Sequence, residues 1–131
     1  FEELHPQPPL FGVGPLGRAV TEMWNRRMEL NLFNSVAQVF RHLHPKMAHL
    51  EVPQVPAWGE ANRGRAIEML EILDARLAAE RFVAGPDYSV ADITALVAVD
   101  FLRPARIQTP EGLTNLARWY AEVSTRPSAL A

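Results

Sequence analysis

Apolar residues recur at three- and four-residue spacings over most of the chain, and no stretch alternates cleanly enough to argue for a strand. From Leu16 to about His44 the pattern predicts one long helix. Val20, Trp24, Met28 and Ser35 lie on one stripe of it, and Met23, Leu30, Phe33, Ala37 and Phe40 on a neighbouring one. Glu22 precedes Arg26 by four residues, the favourable order for an ion pair, and Pro45 stops the helix. A proline-marked loop, Lys46 to Trp58, leads to a second helix from about Ala57 to Arg81, with Ala66, Leu70, Leu73 and Leu77 facing inward. Gly64 weakens that helix by roughly 1 kcal/mol relative to Ala. A third helix covers Ser89 to about Leu102. A fourth begins near Thr109 or Thr114 and ends near Thr125, with Leu113, Leu116, Trp119, Tyr120 and Val123 on its apolar face. The expected fold class is all-α, a bundle of four to six helices.

The third helix poses a question, because the apolar run "ITALVAV" would also suit a buried strand. Its length, the alanines that follow Ser89, and the form Ser89-Val90-Ala91-Asp92 favour a helix. Ser89 at the N-cap accepts from the backbone N–H of Asp92, and the Asp92 carboxylate reaches back to the N–H of Ser89. Tyr88 and Ile93 take the hydrophobic-staple positions, and a negative first turn suits the helix dipole. A helix so apolar is expected to be buried on every side, and a buried helix start cannot leave its N–H groups to water. Asp92 is therefore read as architectural, with about 1–2 kcal/mol lost on its replacement by Ala.

Composition narrows the chemistry. The 131 residues suit one domain, 48% of them are apolar, and the net charge of −2 gives no basic face for nucleic acid. No run is long and apolar enough to span a membrane. Without cysteine there is no disulfide, thiolate nucleophile or Cys-based zinc site, which fits a cytoplasmic setting. His42 and His44 point to different faces of a helix, His49 lies beyond Pro45 and His5 lies in the proline-rich start, so no metal site is expected. Asp74 and Asp100 read as solvated or capping groups. Pro6, Pro8, Pro9, Gly12, Gly14, Pro15 and Gly17 mark a linker.

In order along the chain, "FEELHPQPPLFG", "WNRRMELNLF", "LDARLAAERFVAGPDYSVADI" and "LARWYAEVSTRPS" resemble the C-terminal, all-helical domain of cytosolic glutathione S-transferases of a bacterial or theta-like branch. The third of these is the most specific. The resemblance implies that residues 1–14 are the end of a thioredoxin-like domain plus the inter-domain linker, and that residues 15–131 are the helical domain. It implies glutathione as co-substrate, bound mainly by a thioredoxin-like domain outside this sequence, a small hydrophobic electrophile as the other substrate, and a homodimer with an interface near Leu16 to Met23. This sequence alone is then expected to be inactive, with no catalytic residue of its own.

Matched along the family's long helix, glutathione or co-substrate contacts fall to Arg26, Arg27, Asn31, Phe33 and Asn34. Guanidinium forks suit the glutathione carboxylates, although either arginine has Glu22 or Glu29 as an alternative partner. Asn31 and Phe33 stand where some relatives carry acidic or His residues, which puts acid–base help from them in doubt. Phe33, with Met28 and Phe40, suits a pocket wall for electrophiles, while Trp24 and Trp119 read as core anchors. The alternatives are a non-catalytic interaction or dimerisation module on the same fold and an isomerase of the maleylacetoacetate type.

Overall fold

The computed structural model describes residues 2–130, so Phe1, at the head of the expected linker, and Ala131 lie outside it. Five α-helices follow in order: α1 (Gly14–Arg27), α2 (Asn34–Leu43), α3 (Pro56–Ala79), α4 (Val90–Leu102) and α5 (Thr114–Val123). A π-helical segment, Met28–Phe33, joins α1 to α2, so the two run on as one rod. Among the described residues there is no strand, and the fold is all-α.

The π segment has a packing consequence. Trp24, Met28, Leu32 and Val36 are buried and spaced by four. In an ideal α-helix each step of four advances about 40°, so three steps would drift about 120° off the core. The wider i→i+5 turn takes up part of that drift. Its effect is to move the buried line. Thr21, Leu32, Val36 and Val39 are inside, whereas Met23 and Leu30, expected on an inner stripe, are 47% and 58% exposed.

α3 packs along α2 and α5, and α4 packs along α1 and the π segment. Ala91, Ala95 and Ala98 of α4 are fully enclosed, which lets the neighbouring helices close on it. Leu70, Leu73 and Leu77 of α3 meet Trp119 and Val123 of α5 in the same core, each buried Leu contributing about 1.5–3 kcal/mol. Trp24 and Trp119 are both core residues. α4 departs from the sequence expectation in one respect. It is not buried on every side, because Ile93 and Val97 are 40% and 51% exposed on one stripe.

The helix ends are held by tertiary contacts. Asp74, near the C-terminal end of α3, accepts from the backbone N–H of Leu116 at 2.8 Å and from Asn115 Nδ2 at 3.1 Å. It thus caps α5, whose own N-cap Leu113 has no side chain able to do so. Arg118 returns the favour by donating to the carbonyls of Leu77 and Glu80 at the end of α3, a cation at the negative end of a helix. The linker is tied to the domain where Val90 N–H donates to the carbonyl of Leu10 at 3.0 Å.

Candidate functional site

The most enclosed polar group is Asp92, which has no exposed surface. Both halves of the Ser89–Asp92 capping box are present. Asp92 Oδ2 accepts from Ser89 N–H at 2.9 Å and from Ser89 Oγ at 3.2 Å. Asp92 Oδ1 accepts from Val83 N–H at 2.9 Å and from Trp119 Nε1 at 2.8 Å. One carboxylate therefore fastens the start of α4, the 80–89 turn and the middle of α5. Burial pushes its pKa up, and the four donors pull the other way. With every acceptor position engaged and no path to solvent, it is poorly placed for proton transfer. Arg76 secures the same turn by donating to the carbonyls of Val83 and Ala84, both at 3.1 Å.

The residues matched to glutathione or co-substrate contact do not converge. The Arg26 guanidinium pairs with Glu22 at 2.7 Å and Glu29 at 2.5 Å on its own helix. Arg27 lies 4.4 Å from the centre of the Trp24 ring, and Arg76 lies over the same ring at 5.0 Å. Asn31 and Asn34 border a depression of about 500 Å³ together with Leu30, Trp58, Arg65 and Ile72. Phe33 belongs to another recess, of about 380 Å³, with Val97, Asp100, Phe101 and Pro104. The Phe33 and Phe101 ring centres are 6.0 Å apart, and Phe40 meets Phe101 in a tilted contact at 5.2 Å. Met28 is fully buried in the core and lines neither recess.

The contribution of α4 to this recess was not foreseen. Val97 and Phe101 sit in the run that reads as wholly buried, and their spacing of four, ending at Pro104, is the only signal of an open stripe. Asn25 and Thr94 join α1 to α4 alongside it through a 2.6 Å hydrogen bond from Thr94 Oγ1 to Asn25 Oδ1. A larger cleft, about 770 Å³, lies at the far end of α4 and is lined by Leu102, Arg103, Arg106, Ile107, Leu116 and Tyr120 among others. Tyr120 donates to Asp100 at 2.6 Å, and this bond, with some burial, raises the phenol pKa.

Two of the histidines serve local structure. His42 Nδ1 accepts from Val55 N–H at 3.1 Å, and His44 Nδ1 accepts from Lys46 N–H at 3.2 Å. Among the described residues no group of three potential metal ligands occurs, and no helix is long and apolar enough to cross a membrane.

These features define the class: an all-helical domain, locked around a buried carboxylate, that presents an open apolar recess beside a long interrupted helix. Residues 56–122 match the family model described as glutathione S-transferase, C-terminal domain, and the chain belongs to the glutathione S-transferase family. It is 34% identical over 129 residues to glutathione S-transferase 2 of Saccharomyces cerevisiae, covering 98% of this chain and 55% of that protein. To glutathione S-transferase F12 of Arabidopsis thaliana it is 29% identical over 121 residues, covering 85% and 52%. The chain thus spans about half the length of these curated relatives. Among solved structures it superposes on Gtt2 from Saccharomyces cerevisiae with a TM-score of 0.92 at 33% identity, over 98% of this chain and 62% of that one. It also superposes on a glutathione S-transferase domain-containing protein of Marinobacter aquaeolei VT8, with a TM-score of 0.89 at 37% identity, covering 93% and 60%.

Proposed function

We propose that this domain works in a glutathione transferase, as the co-substrate side of a site whose glutathione side is a thioredoxin-like domain. The division of the sequence into a linker at 1–14 and the helical domain at 15–131 is part of this reading, as are a homodimer and a cytoplasmic setting. The observation that carries it is the recess of Phe33, Val97, Phe101 and Pro104. Aromatic and aliphatic walls open to solvent suit an apolar electrophile. They orient it and exclude water while a thiolate of glutathione, activated by the other domain, attacks its electrophilic carbon. The departing halide or other leaving group takes the bonding electron pair.

Asn31, Asn34 and the two arginines are assigned to glutathione contact in the assembled protein. Arg27, with no acidic partner among the described residues, is better placed than Arg26 to meet a glutathione carboxylate. The test is conjugation of glutathione to a chloronitroaromatic by the full-length protein and its Phe33→Ala variant. The expected result is a KM for the aromatic raised about three- to tenfold, since one buried aromatic contact is worth about 0.5–1.5 kcal/mol, with the KM for glutathione unchanged. A full-length protein that binds no glutathione would overturn the reading.

The exposed apolar side chains Leu16, Met23, Leu30, Trp58 and Ile72 on α1, the π segment and α3 favour a second reading, a non-catalytic dimerisation module. Retained fold and self-association without glutathione binding would select it.

A further inference from the structure

The recess of Phe33, Val97, Asp100, Phe101 and Pro104 has one ionisable side chain among its five lining residues, Asp100. The co-substrate reading above makes no use of it. Asp100 lies in the last turn of α4. Val97, three residues before it, and Pro104, four after it, place it on the recess side of that helix.

Two observations give this carboxylate a role. The first is that its charge is uncompensated. The ion pairs among the described residues take up Glu22, Glu29, Glu51, Glu60, Glu80 and Glu122, and Asp100 is in none of them. Arg103, one turn further on, lines the neighbouring cleft and not the recess. The one partner of Asp100 is the Tyr120 hydroxyl, which donates to Oδ1 at 2.6 Å. A phenol is a neutral donor, so the negative charge stays, and most of the acceptor positions of a carboxylate remain free. The second observation is what stands beside it. The rings of Phe33 and Phe101, 6.0 Å apart and inclined at 34°, carry negative π faces that attract a cation. Aromatic rings next to a lone carboxylate are the chemistry that recognises an ammonium group, and the same charge repels an anion.

We infer that Asp100 is a specificity residue of this recess, selecting apolar electrophiles that carry a positively charged amino group over neutral or anionic ones of the same shape. The inference rests on the recess being the co-substrate side of a glutathione transferase. The reaction is unchanged: the glutathione sulfur bonds to the electrophilic carbon, and the leaving group departs with the electron pair. Asp100 takes no part in that step. It holds the amino group while Val97, Phe101 and Phe33 hold the apolar body, so its effect falls on KM and not on kcat.

The experiment uses the full-length protein and three chloronitrobenzamides with one reactive ring and different tails: aminoethyl, hydroxyethyl and carboxymethyl. The same amides without chlorine are unreactive and report binding alone by calorimetry. The Kd of the ammonium probe is expected to be about three- to tenfold below that of the alcohol, with the carboxylate the weakest of the three. KM for the chloro compounds should follow the same order. Asp100→Asn keeps an acceptor for Tyr120 and removes the charge, so the alcohol-to-ammonium ratio of Kd should fall to about one. Tyr120→Phe removes the hydrogen bond and keeps the charge, so the ratio should persist. Salt at about 1 M, where the Debye length is about 3 Å, should compress the ratio in the wild type and in Tyr120→Phe. Equal Kd for the three probes, or an ammonium preference that Asp100→Asn retains, would overturn the inference whether or not conjugation occurs. Failure to conjugate any probe, with the Asp100-dependent binding order intact, would instead count against the transferase reading and uphold the charge selectivity of the recess.

Discussion

Asp92 shows how far one side chain's role exceeds its local motif. Its capping bond to Ser89 is a helix-start feature worth about 1 kcal/mol. The bonds to Val83 and Trp119 are tertiary, and their loss leaves buried donors unpaired at about 1–3 kcal/mol each. Asp92→Ala is therefore expected to cost about 3–5 kcal/mol in urea unfolding, well above the 1–2 kcal/mol of a cap alone. Asp92→Asn removes the charge but turns an NH2 group toward donors, so it should still cost about 1–3 kcal/mol. Its pH dependence has a definite sign. Burial raises the Asp92 pKa in the fold, so the folded chain holds that proton more tightly than the unfolded one. The resulting stabilisation is present below the unfolded pKa and is lost as pH rises through the folded value. The margin of the wild type over Asp92→Asn should narrow as the pH is raised from about 4 to about 7. A margin that widens would mean that the four donors outweigh burial.

At the level of elements, α3 contains two glycines with opposite roles. A Cβ on Gly59 would lie 2.6 Å from Leu43 Cγ, whereas nothing lies within 4 Å of one on Gly64. Gly59 lets α3 approach α2, and Gly64 is an exposed weak point. Gly59→Ala should destabilise the protein by about 1–3 kcal/mol through overpacking. Gly64→Ala should stabilise it by about 0.5–1 kcal/mol through helix propensity. Thermal melts of the two variants, moving in opposite directions, are the check. The sequence shows both glycines inside one helical pattern and cannot distinguish them, because the difference is the distance to another helix. The same holds for α1 and the π segment: the apolar spacing specified a helix, but the register shift that buries Leu32 and exposes Leu30 depends on which neighbours the rod meets.

For the whole molecule, exposed apolar residues gather at two separate places: Leu30, Trp58 and Ile72 border one depression, and Val97 lies with Phe33 and Phe101 in the other recess. Apolar surface of this kind suits the contact with a second copy or a neighbouring domain proposed above. The chain by itself is expected to self-associate in light scattering, and Leu30→Glu to shift it toward monomer. A monodisperse monomer of the unsubstituted chain at high concentration would contradict the proposed homodimer.

Local signals in the sequence were sufficient for the helical class, for three helix starts or stops, marked by Ser89, Pro45 and Pro104, and for the family resemblance, because periodicity, caps and prolines act over a few residues. The five residues assigned to glutathione or co-substrate contact could be picked out only as neighbours on one helix. Tertiary packing parted them, placing Asn31 and Asn34 beside Trp58 and Arg65 and Phe33 beside Phe101, whereas the arginines keep to partners three or four residues away on their own helix, Glu22, Glu29 and Trp24. It also set Asp74 on α5 and Asp92 on Trp119. Such pairings join residues about 27 to 70 positions apart in the chain, and contacts at that range follow from how the helices pack rather than from any spacing along the sequence.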